Sequence, residues 1–310
     1  MKKRIAVVGS SNTDMIVKVQ EIARPGQTVI GGRFSTAAGG KGANQAVAAA
    51  RAGGDAAFIA RVGDDMFGRQ ALEGFRADHL DVSHVILDPD APSGVALIFV
   101  DAKGQNSIAV ANGANANLSP DDVRRAAEVI ASADILIMQL ETPIETVRAA
   151  AQLARDNGVT VILNPAPAQP LDDELLQCIS ILTPNESEAE LLTGIPVDSP
   201  RAAHRAADAL RARGVETVIV TMGDKGALLT TPDYSEFVPA FAVDAVDATA
   251  AGDVFNGALA VAIAEGATLP QAVRFANAAA ALSVTKLGAQ PSAPTRTAIE
   301  AFLVARASCP

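Results

Sequence analysis

The chain has 310 residues, of which 49% are hydrophobic and 19% charged. This is the composition of an ordinary folded protein and argues against intrinsic disorder. The formal net charge of -10 repels phosphate backbones, so nucleic acid is a poor candidate partner. The first apolar run, residues 5–8, is too short for a signal peptide, and no uncharged apolar stretch approaches the roughly 20 residues of a membrane span. We therefore expect a soluble, cytoplasmic protein without a membrane partner.

The N-terminal part of the chain predicts a first strand at residues 5–8 and then a small separate sheet. The strand-like runs of this sheet are joined by Gly, Pro, Asn and Asp and fall at residues 14–19, 28–30, 94–100 and 107–110. Because they do not alternate with helices, they favour a sheet that projects from the body of the protein. A predicted helix at residues 43–52 and a strand at 57–60 belong to that body.

We interpret the projecting sheet as an excursion from a single domain that spans residues 1–310. Two inserted segments, approximately 12–36 and 93–111, are expected to form it. A projecting sheet exposes its edges and one face, which favours a lid, a dimer interface or both.

From about residue 120 onward, short apolar runs alternate with Ala-rich stretches of helical pattern. Strands are predicted at 135–138, 159–163, 179–183 and 218–221, and helices at 121–131, 144–157 and 201–213. This alternation predicts an α/β fold with a mostly parallel central sheet and helices on both faces. Polar residues follow each strand, among them Glu141, Asn164, Asn185 and Thr221. Since ligands bind at the carboxyl ends of parallel strands, these positions mark a candidate site.

The Gly-rich run at residues 39–44 is the first motif that carries chemistry. It is not a Walker loop, because Gly42 stands where that loop needs a Ser or Thr to hold magnesium. The glycines allow a close approach to a ligand, while Lys41 and Asn44 supply donors suited to hydroxyls or oxyanions. The alternative interpretation is a tight turn that leads into the next helix.

Asn12 and Asp14 follow the first strand and, two residues apart on an extended segment, point the same way. A carboxylate beside an amide is well suited to bind vicinal sugar hydroxyls. The alternative is an ordinary turn closed by Asx hydrogen bonds.

Residues 246–257 form the strongest candidate site. The small residues Ala250, Ala251 and Gly252 precede or begin an apolar helix predicted to run from about residue 252 to 264. Their amides would point beyond the helix N-terminus and make an anion hole for a γ-phosphoryl group. Asp253 lies beside that hole and can accept the proton of an attacking hydroxyl. A mere helix-start charge would not explain the small residues next to it.

Two further patterns suit a nucleotide and its metal ion. Asn185 and Glu188 lie three residues apart at a helix start, and their oxygens suit a hydrated magnesium ion. The Gly-containing turn at residues 221–226 follows a strand, a position that favours a nucleotide contact. By itself this turn is also compatible with any hairpin.

Together these motifs resemble the ribokinase-like, or phosphofructokinase-B type, carbohydrate kinases over essentially the whole chain. The resemblance is carried by residues 39–44, 61–68 and 250–257. Narrower stretches, at residues 44–50, 138–141, 163–168 and 288–292, resemble the ribose-phosphorylating members. The resemblance implies a central sheet and a small lid sheet that also builds a homodimer.

The resemblance also implies roles for individual residues. The sugar would be held by Asn12, Asp14, Gly40, Lys41, Asn44 and Glu141, with Asp253 as base toward the 5-hydroxyl. ATP would contact Asn185, Thr221, Gly223, Gly226 and Asn277, with Mg²⁺ near Asn185 and Glu188. An activating K⁺ would be bound by the side chains of Asp247 and Ser292 and by the carbonyls of Thr249, Ser283, Lys286 and Gly288. Asn277 departs from the family pattern, in which a His often flanks adenine, and Thr249 stands where an aliphatic residue is common.

The activity that this resemblance implies is ATP-dependent phosphorylation of D-ribose to ribose 5-phosphate and ADP. Alternatives are kinases for deoxyribose, fructose, a keto-deoxy sugar acid or a nucleoside. A nucleoside pocket would need aromatic walls, and the motifs have little aromatic material near them. A non-catalytic sugar sensor is a further alternative, but a sensor needs neither Asp253 nor the pair Asn185 and Glu188.

Overall fold

The structure is a computed structural model, and it describes residues 3–307. Its strands, in chain order, are β1 Arg4–Val8, β2 Asn12–Lys18, β3 Arg33–Gly39, β4 Asp55–Gly63, β5 Asp81–Asp88, β6 Gly94–Val100, β7 Asn106–Ala111, β8 Ile135–Met138, β9 Thr160–Leu163, β10 Ile181–Leu182, β11 Thr217–Thr221, β12 Gly226–Thr230 and β13 Ser235–Pro239.

The helices are α1 Lys41–Arg51, α2 Met66–Ala77, α3 Pro120–Arg125, α4 Ala127–Ala131, α5 Ile144–Asp156, α6 Asp173–Leu176, α7 Glu186–Thr193, α8 Pro200–Ala212, α9 Ala251–Ala264, α10 Leu269–Ser283 and α11 Arg296–Ala307. Short 3₁₀ turns occur at Gly113–Asn117, Gly223–Lys225 and Gln290–Ser292. Within the described range, no helix combines the length and apolarity needed to cross a bilayer.

The large sheet has the strand order β13-β12-β11-β10-β9-β8-β1-β4-β5. Its strands are parallel from β11 to β5, and β12 and β13 are antiparallel at one edge. Apolar side chains on the two faces of this sheet form two separate core clusters, each packed against helices. The predicted α/β class, with helices on both faces of a mostly parallel sheet, is confirmed.

The small sheet has the order β3-β2-β6-β7 and stands apart from the large one. Asn12 pairs with Gly39 and Asp14 with Ala37 across β2 and β3. A Cβ atom on Gly39 would lie 2.4 Å from Oδ1 of Asp14, so glycine leaves the room that this carboxylate occupies. The strand predicted at residues 28–30 is wrong, because the strand that pairs with β2 begins after Gly32. This strand ends in two alanines and a glycine, residues of low strand propensity, and pairing with β2 outweighs their local preference.

Two other element boundaries differ from the sequence-based expectation. The helix predicted at residues 121–131 is broken at Ala126, whose amide is shared between the carbonyls of Asp122 and Val123 at 3.2 and 3.1 Å. Such sharing tightens the turn and separates α3 from α4. The strand predicted at residues 179–183 is reduced to β10, because the amide of Ile179 instead closes the end of α6 on Leu176.

Candidate active site

A cavity of about 180 Å³ opens at the carboxyl ends of the parallel strands. It brings together side chains and backbone from α1, α7, β11 and α9, among them Lys41, Asn185, Glu188, Thr221, Gly252 and Asp253. These residues are widely separated in the sequence and were each singled out from local motifs. The crossover connections of the sheet collect them at one edge, as expected for an open parallel sheet.

Asp253 is the buried carboxylate at the floor of this cavity, with a side chain that is 5% exposed. Its Oδ2 atom accepts a hydrogen bond from Nδ2 of Asn44 at 2.9 Å, and its Oδ1 atom accepts one from Nε2 of Gln45 at 3.0 Å. Burial raises the pKa of Asp253 above its ordinary value. The positive charge of Lys41 and the two amide donors oppose that rise. The result is a carboxylate held in place, with a higher proton affinity than an exposed one.

Lys41 begins α1 and faces several acidic side chains. Burial lowers the pKa of its ammonium group, but Asp253, Glu141 and Glu188 raise it, and the net shift is upward. Lys41 therefore carries its charge at neutral pH and offers a fixed cation to an anionic ligand. A Cβ atom on the next residue, Gly42, would lie 2.5 Å from the amide nitrogen of Ser10. Glycine is required there because α1 begins directly against the end of β1.

Glu141 lies at the same helix start. Its Oε2 atom accepts a hydrogen bond of 2.9 Å from the amide of Lys41 and one from the hydroxyl of Ser10. A carboxylate at a helix N-terminus is stabilised by the free amides and the helix dipole. Glu141 thus orders the Gly-rich run, and its negative charge also acts on Lys41 and Asp253.

Asp14 lies on β2 and is a third acidic residue in the neighbourhood of Glu141 and Asp253. Burial raises its pKa from 3.8 to about 6, and the negative charges of Glu141 and Asp253 add to the rise. Asn12, two residues earlier on the same face, is buried and accepts a hydrogen bond of 2.8 Å at Oδ1 from Nδ2 of Asn115. The structure therefore brings Asn12, Asp14 and the α1 start into one neighbourhood with Asp253.

The start of α9 has the geometry of an anion site in part. Ala250 adopts the left-handed conformation, with φ of 60°, and precedes the first helical residue. The amide of Ala251 donates to the carbonyl of Ala248 at 3.2 Å, so it is not wholly free. The amides of Ala250 and Gly252 have no acceptor among residues 3–307. Two of the three predicted donors therefore remain available to a ligand.

Asn185 and Glu188 form a capping box at the start of α7. The amide of Glu188 donates to Oδ1 of Asn185, and the Glu188 carboxylate accepts from the backbone and side-chain nitrogens of Asn185, all within 2.9 Å. Both residues line the cavity, as predicted, but their oxygens already have partners. A carboxylate has further lone pairs, which suits contact with the water shell of Mg²⁺ better than direct coordination. Burial raises the pKa of Glu188.

The predicted nucleotide residues are only partly brought together. Thr221 ends β11, pairs with Asn185 in an isolated parallel bridge and lines the cavity. Gly223 and Gly226 bound the short 3₁₀ turn between β11 and β12. The side-chain amide of Asn277 donates to the carbonyls of Val238 and Pro239 at 3.1 and 3.2 Å. It therefore ties α10 to β13, and its donors are occupied.

The two loops predicted to hold a monovalent cation lie against each other. Oδ1 of Asp247 accepts from the amide of Thr249, and Oδ2 accepts from the amide of Gly288, both at 2.9 Å. The carbonyl of Ser283 accepts from the amide of Lys286 at 3.0 Å, and Ser292 is buried at 1% exposure. Across residues 3–307, no group of three or more His, Cys, Asp and Glu side chains is placed to hold a metal ion.

Sequence reasoning marked Asn164 as a candidate but missed two other polar residues that support the site from behind. Gln45 and Asn115 are buried, and each makes a side-chain hydrogen bond to a residue more than 100 positions away. Buried amides inside apolar Ala-rich stretches were the available signal, because a buried polar group needs a partner.

The motif at residues 61–68 has a structural task. Asp65 accepts hydrogen bonds from both the amide and the hydroxyl of Ser93, and the amide of Gly63 donates to the same hydroxyl. Ser93 directly precedes β6, so this motif anchors the small sheet to the body. These hydrogen bonds do not involve Asp253.

The chain is similar to known proteins in both sequence and structure. The sequence pattern described as pfkB family carbohydrate kinase matches residues 2–296. A ribokinase of Haemophilus influenzae is 46% identical over 303 residues, which cover 98% of this chain and 99% of that protein. A deoxyribokinase of Salmonella typhi is 41% identical, with 94% and 95% covered. The structure of Arabidopsis thaliana ribokinase complexed with ribose and ATP matches with a TM-score of 0.91 at 35% identity, covering 98% of this chain and 99% of that one.

The family resemblance that the motifs indicated is therefore confirmed, and so is the expectation of a phosphotransferase. The matches extend over nearly the full length of both partners, so they are not confined to one motif. The chain therefore belongs to the pfkB family of carbohydrate kinases.

Proposed function

We propose that this enzyme transfers the γ-phosphoryl group of ATP to the 5-hydroxyl of D-ribose, giving ribose 5-phosphate and ADP. The observation that carries the proposal is the position of Asp253. In the first turn of α9, its Oδ2 atom accepts a hydrogen bond from Asn44, and it lines the same cavity as Asn185 and Thr221. The similarity to ribokinases from Haemophilus influenzae and Arabidopsis thaliana supports ribose as the acceptor and ATP as the donor.

The proposed sugar-binding residues offer both hydrogen-bond acceptors and hydrogen-bond donors. Asn12, Asp14, Gly40, Lys41, Asn44 and Glu141 would bind the sugar hydroxyls. Oδ1 of Asn44 is buried and has no hydrogen-bond partner among the described residues. Because an unpaired buried acceptor is costly, it suits a ligand hydroxyl that donates to it. The same side chain donates to Asp253, so Asn44 would bind the sugar and the base together.

Asp253 would accept the proton of the 5-hydroxyl as that oxygen attacks. The new O–P bond forms while the bond from the γ-phosphorus to the bridging oxygen of ADP breaks, and the proton moves to the carboxylate. Burial raises the proton affinity of Asp253, which makes it a stronger base than an exposed aspartate. General-base catalysis of this kind contributes roughly 10²–10⁴-fold to the rate.

The start of α9 and Lys41 would stabilise the phosphoryl group in transfer. The amides of Ala250 and Gly252 are available there, and Lys41 supplies a fixed positive charge. The amide of Ala251 already donates to the carbonyl of Ala248, and it would complete the anion hole by sharing its hydrogen with the phosphoryl group. In phosphoryl transfer most of the catalysis comes from such positioning and charge stabilisation.

ATP would lie along β11 and α7, in contact with Asn185, Thr221, Gly223, Gly226 and Asn277. Mg²⁺ would bind the phosphates and touch Asn185 and Glu188 through its water shell, since these two side chains already cap α7. The ion would neutralise charge on the transferring phosphates. The hydrogen bonds by which Asn185 and Glu188 cap α7 would stay intact in this arrangement.

A potassium ion would be held beside the anion hole by Asp247, Ser292 and the carbonyls of Thr249, Ser283, Lys286 and Gly288. Asp247 joins the loop before α9 to the loop after α10 through its bond to Gly288, and its bond to Thr249 lies within the first of these loops. Carboxylate and carbonyl oxygens suit a large, weakly hydrated cation. The ion would order the residues at the start of α9, and Asp247→Ala is expected to remove any stimulation by K⁺ over Li⁺.

The small sheet, built from segments 12–36 and 93–111 of a single domain, would act as a lid and as the interface of a homodimer. The pairing register places Leu97, Phe99 and Phe34 on the face opposite to Asp14. These side chains are exposed by 46%, 39% and 61%. An apolar sheet face of this kind is an unfavourable surface for a monomer and a favourable one for a second copy.

The experiment that tests this function is ADP release across a panel of pentoses and hexoses, with and without potassium. We expect ribose to be the best acceptor, as judged by kcat/KM. Deoxyribose is the second candidate, because the similarity to the Salmonella typhi deoxyribokinase favours it over fructose, sugar acids and nucleosides. A better rate with any other acceptor would overturn the assignment to ribose, and a lack of turnover with every sugar would favour a sensor.

A further inference from the structure

Gln45 is a polar side chain buried completely inside α1, and the proposed reaction does not use it. Its amide nitrogen donates to Oδ1 of Asp253 at 3.0 Å and to Oδ1 of Asn164 at 3.1 Å. Its amide oxygen accepts from Nε2 of Gln139 at 2.6 Å. Both N–H groups and the oxygen of the amide are therefore engaged.

This arrangement fixes which end of the Gln45 amide meets the base. Asn164 is held in turn by its own bond to the carbonyl of Thr183, at 3.2 Å. Gln139 and Asn164 follow β8 and β9, so the ends of two neighbouring strands clamp the amide. If the amide turned over, its oxygen would face the carboxylate of Asp253 and its nitrogen would face a donor. The clamp excludes that orientation.

We propose that Gln45 is a positioning residue that orients the carboxylate of Asp253 and stabilises its ionised form. The proposal rests on the proposed function, in which Asp253 is the base. Asn44 binds the other carboxylate oxygen, but its own Oδ1 atom is buried and has no partner among the described residues. Gln45 has no such free group, so its task is directed at the base and not at the sugar.

The charged groups around Asp253 explain why a neutral donor is needed there. Lys41 on α1 is the cation that favours the ionised carboxylate. Glu141 after β8, Glu188 on α7 and Asp14 on β2 are acidic and disfavour it. A second lysine in place of Gln45 would have to be buried completely, which is costly. An amide donor stabilises the charge without adding one.

The test is the pH dependence of ribose phosphorylation in Gln45→Met and Gln45→Glu. Methionine keeps the length of the side chain and removes its hydrogen bonds, so the pKa of Asp253 rises. We expect kcat at neutral pH to fall about 10- to 100-fold and the acid limb of kcat/KM to move upward by about 1 to 2 pH units. The KM for ribose should change little, because Gln45 is separated from the sugar by the base.

Gln45→Glu keeps the shape and adds a carboxyl group 3.0 Å from Oδ1 of Asp253, where the amide nitrogen stands now. Two carboxyl groups at this distance share one proton, so the acid limb should move further than in Gln45→Met. Thr146→Val is the matched control, since it also removes a completely buried hydrogen bond, to the carbonyl of Leu118, on the opposite face of the sheet. It should lower the Tm without moving the acid limb.

Folded Gln45→Met and Gln45→Glu with the wild-type acid limb would overturn the positioning role. The positioning role would also be overturned if both variants raised the KM for ribose and left kcat unchanged, because Gln45 would then act on the sugar. Asp253→Asn separates this failure from a failure of the proposed function. An inactive Asp253→Asn with an unmoved limb in the Gln45 variants refutes only the positioning role, whereas an active Asp253→Asn refutes the base itself.

Discussion

Asn115 donates a hydrogen bond of 2.8 Å to Oδ1 of Asn12, although 103 residues separate the two in the sequence. The same side chain accepts from the amide of Ser11 at 2.8 Å and donates to its carbonyl at 3.1 Å. Asn115 follows β7, the last strand of the small sheet, and Ser11 and Asn12 lie where the chain enters its first. The side chain of Asn115 therefore holds the backbone where the chain enters the small sheet. It also holds the side chain of Asn12, a proposed sugar-binding residue.

We expect Asn115→Leu to weaken sugar binding more than turnover. The change leaves the buried amide of Ser11 unpaired and frees Asn12 to rotate, at a cost of about 1 to 3 kcal/mol. The KM for ribose should rise about tenfold or more, while the KM for ATP stays close to that of the wild type. Steady-state kinetics with each substrate varied in turn measures the difference.

Asn117→Leu is the matched control for this prediction. Asn117 lies in the same 3₁₀ turn, but its amide donates to Asp88 and not to the sugar site. It should leave the KM for ribose unchanged. Equal effects of the two variants on the KM for ribose would show that the turn as a whole, and not the bond to Asn12, supports the site.

The sequence identified those site residues that stand in a recognisable local motif. The structure explains why other site residues could not be identified from the sequence. Asp253 stands beside small residues at a helix start, and Lys41 stands in a Gly-rich run, so each motif is visible without its partners. Gln45 and Asn115 look like ordinary polar residues until the fold brings their distant partners to them. The same holds for the strand misplaced at residues 28–30, since its register is decided by pairing with β2.

Asp14→Asn should stabilise the protein at neutral pH while it impairs sugar binding. The pKa of Asp14 is raised from 3.8 to about 6 in the folded state, so the folded protein binds this proton more tightly than the unfolded chain does. Its favourable contribution is complete below pH 3.8 and is lost as the pH rises through about 6. A shift of this size corresponds to at most roughly 3 kcal/mol.

The measurement is the Tm of wild type and Asp14→Asn between pH 4 and pH 8. We expect the variant to gain a few degrees near pH 8, and the gain to shrink toward pH 4. Asp81→Asn provides a contrast, because hydrogen bonding to Ser83 lowers the pKa of Asp81. Its loss should destabilise the protein at neutral pH. A Tm difference for Asp14→Asn that does not depend on pH would contradict the assigned pKa shift.

Leu97→Glu should convert the proposed homodimer into a monomer. Leu97 lies on the face of the small sheet opposite to Asp14 and is 46% exposed, so a charge there should be tolerated by the isolated chain. Leu191→Glu is a matched control on α7, where Leu191 is 47% exposed. Sedimentation velocity should give the dimer for the wild type and Leu191→Glu, and the monomer for Leu97→Glu. A dimer in all three would place the interface elsewhere.

The role of Asp253 as the base is tested most sharply by turnover in Asp253→Asn, measured as ADP release with saturating ribose and ATP. Calorimetric titration of the same variant measures its binding of ribose. Asparagine keeps the size of the side chain but cannot accept the proton of the 5-hydroxyl. We expect kcat to fall by about 10²–10⁴-fold while ribose binds nearly as tightly as to the wild type. Substantial turnover by this variant, with ribose bound, would contradict Asp253 as the catalytic base.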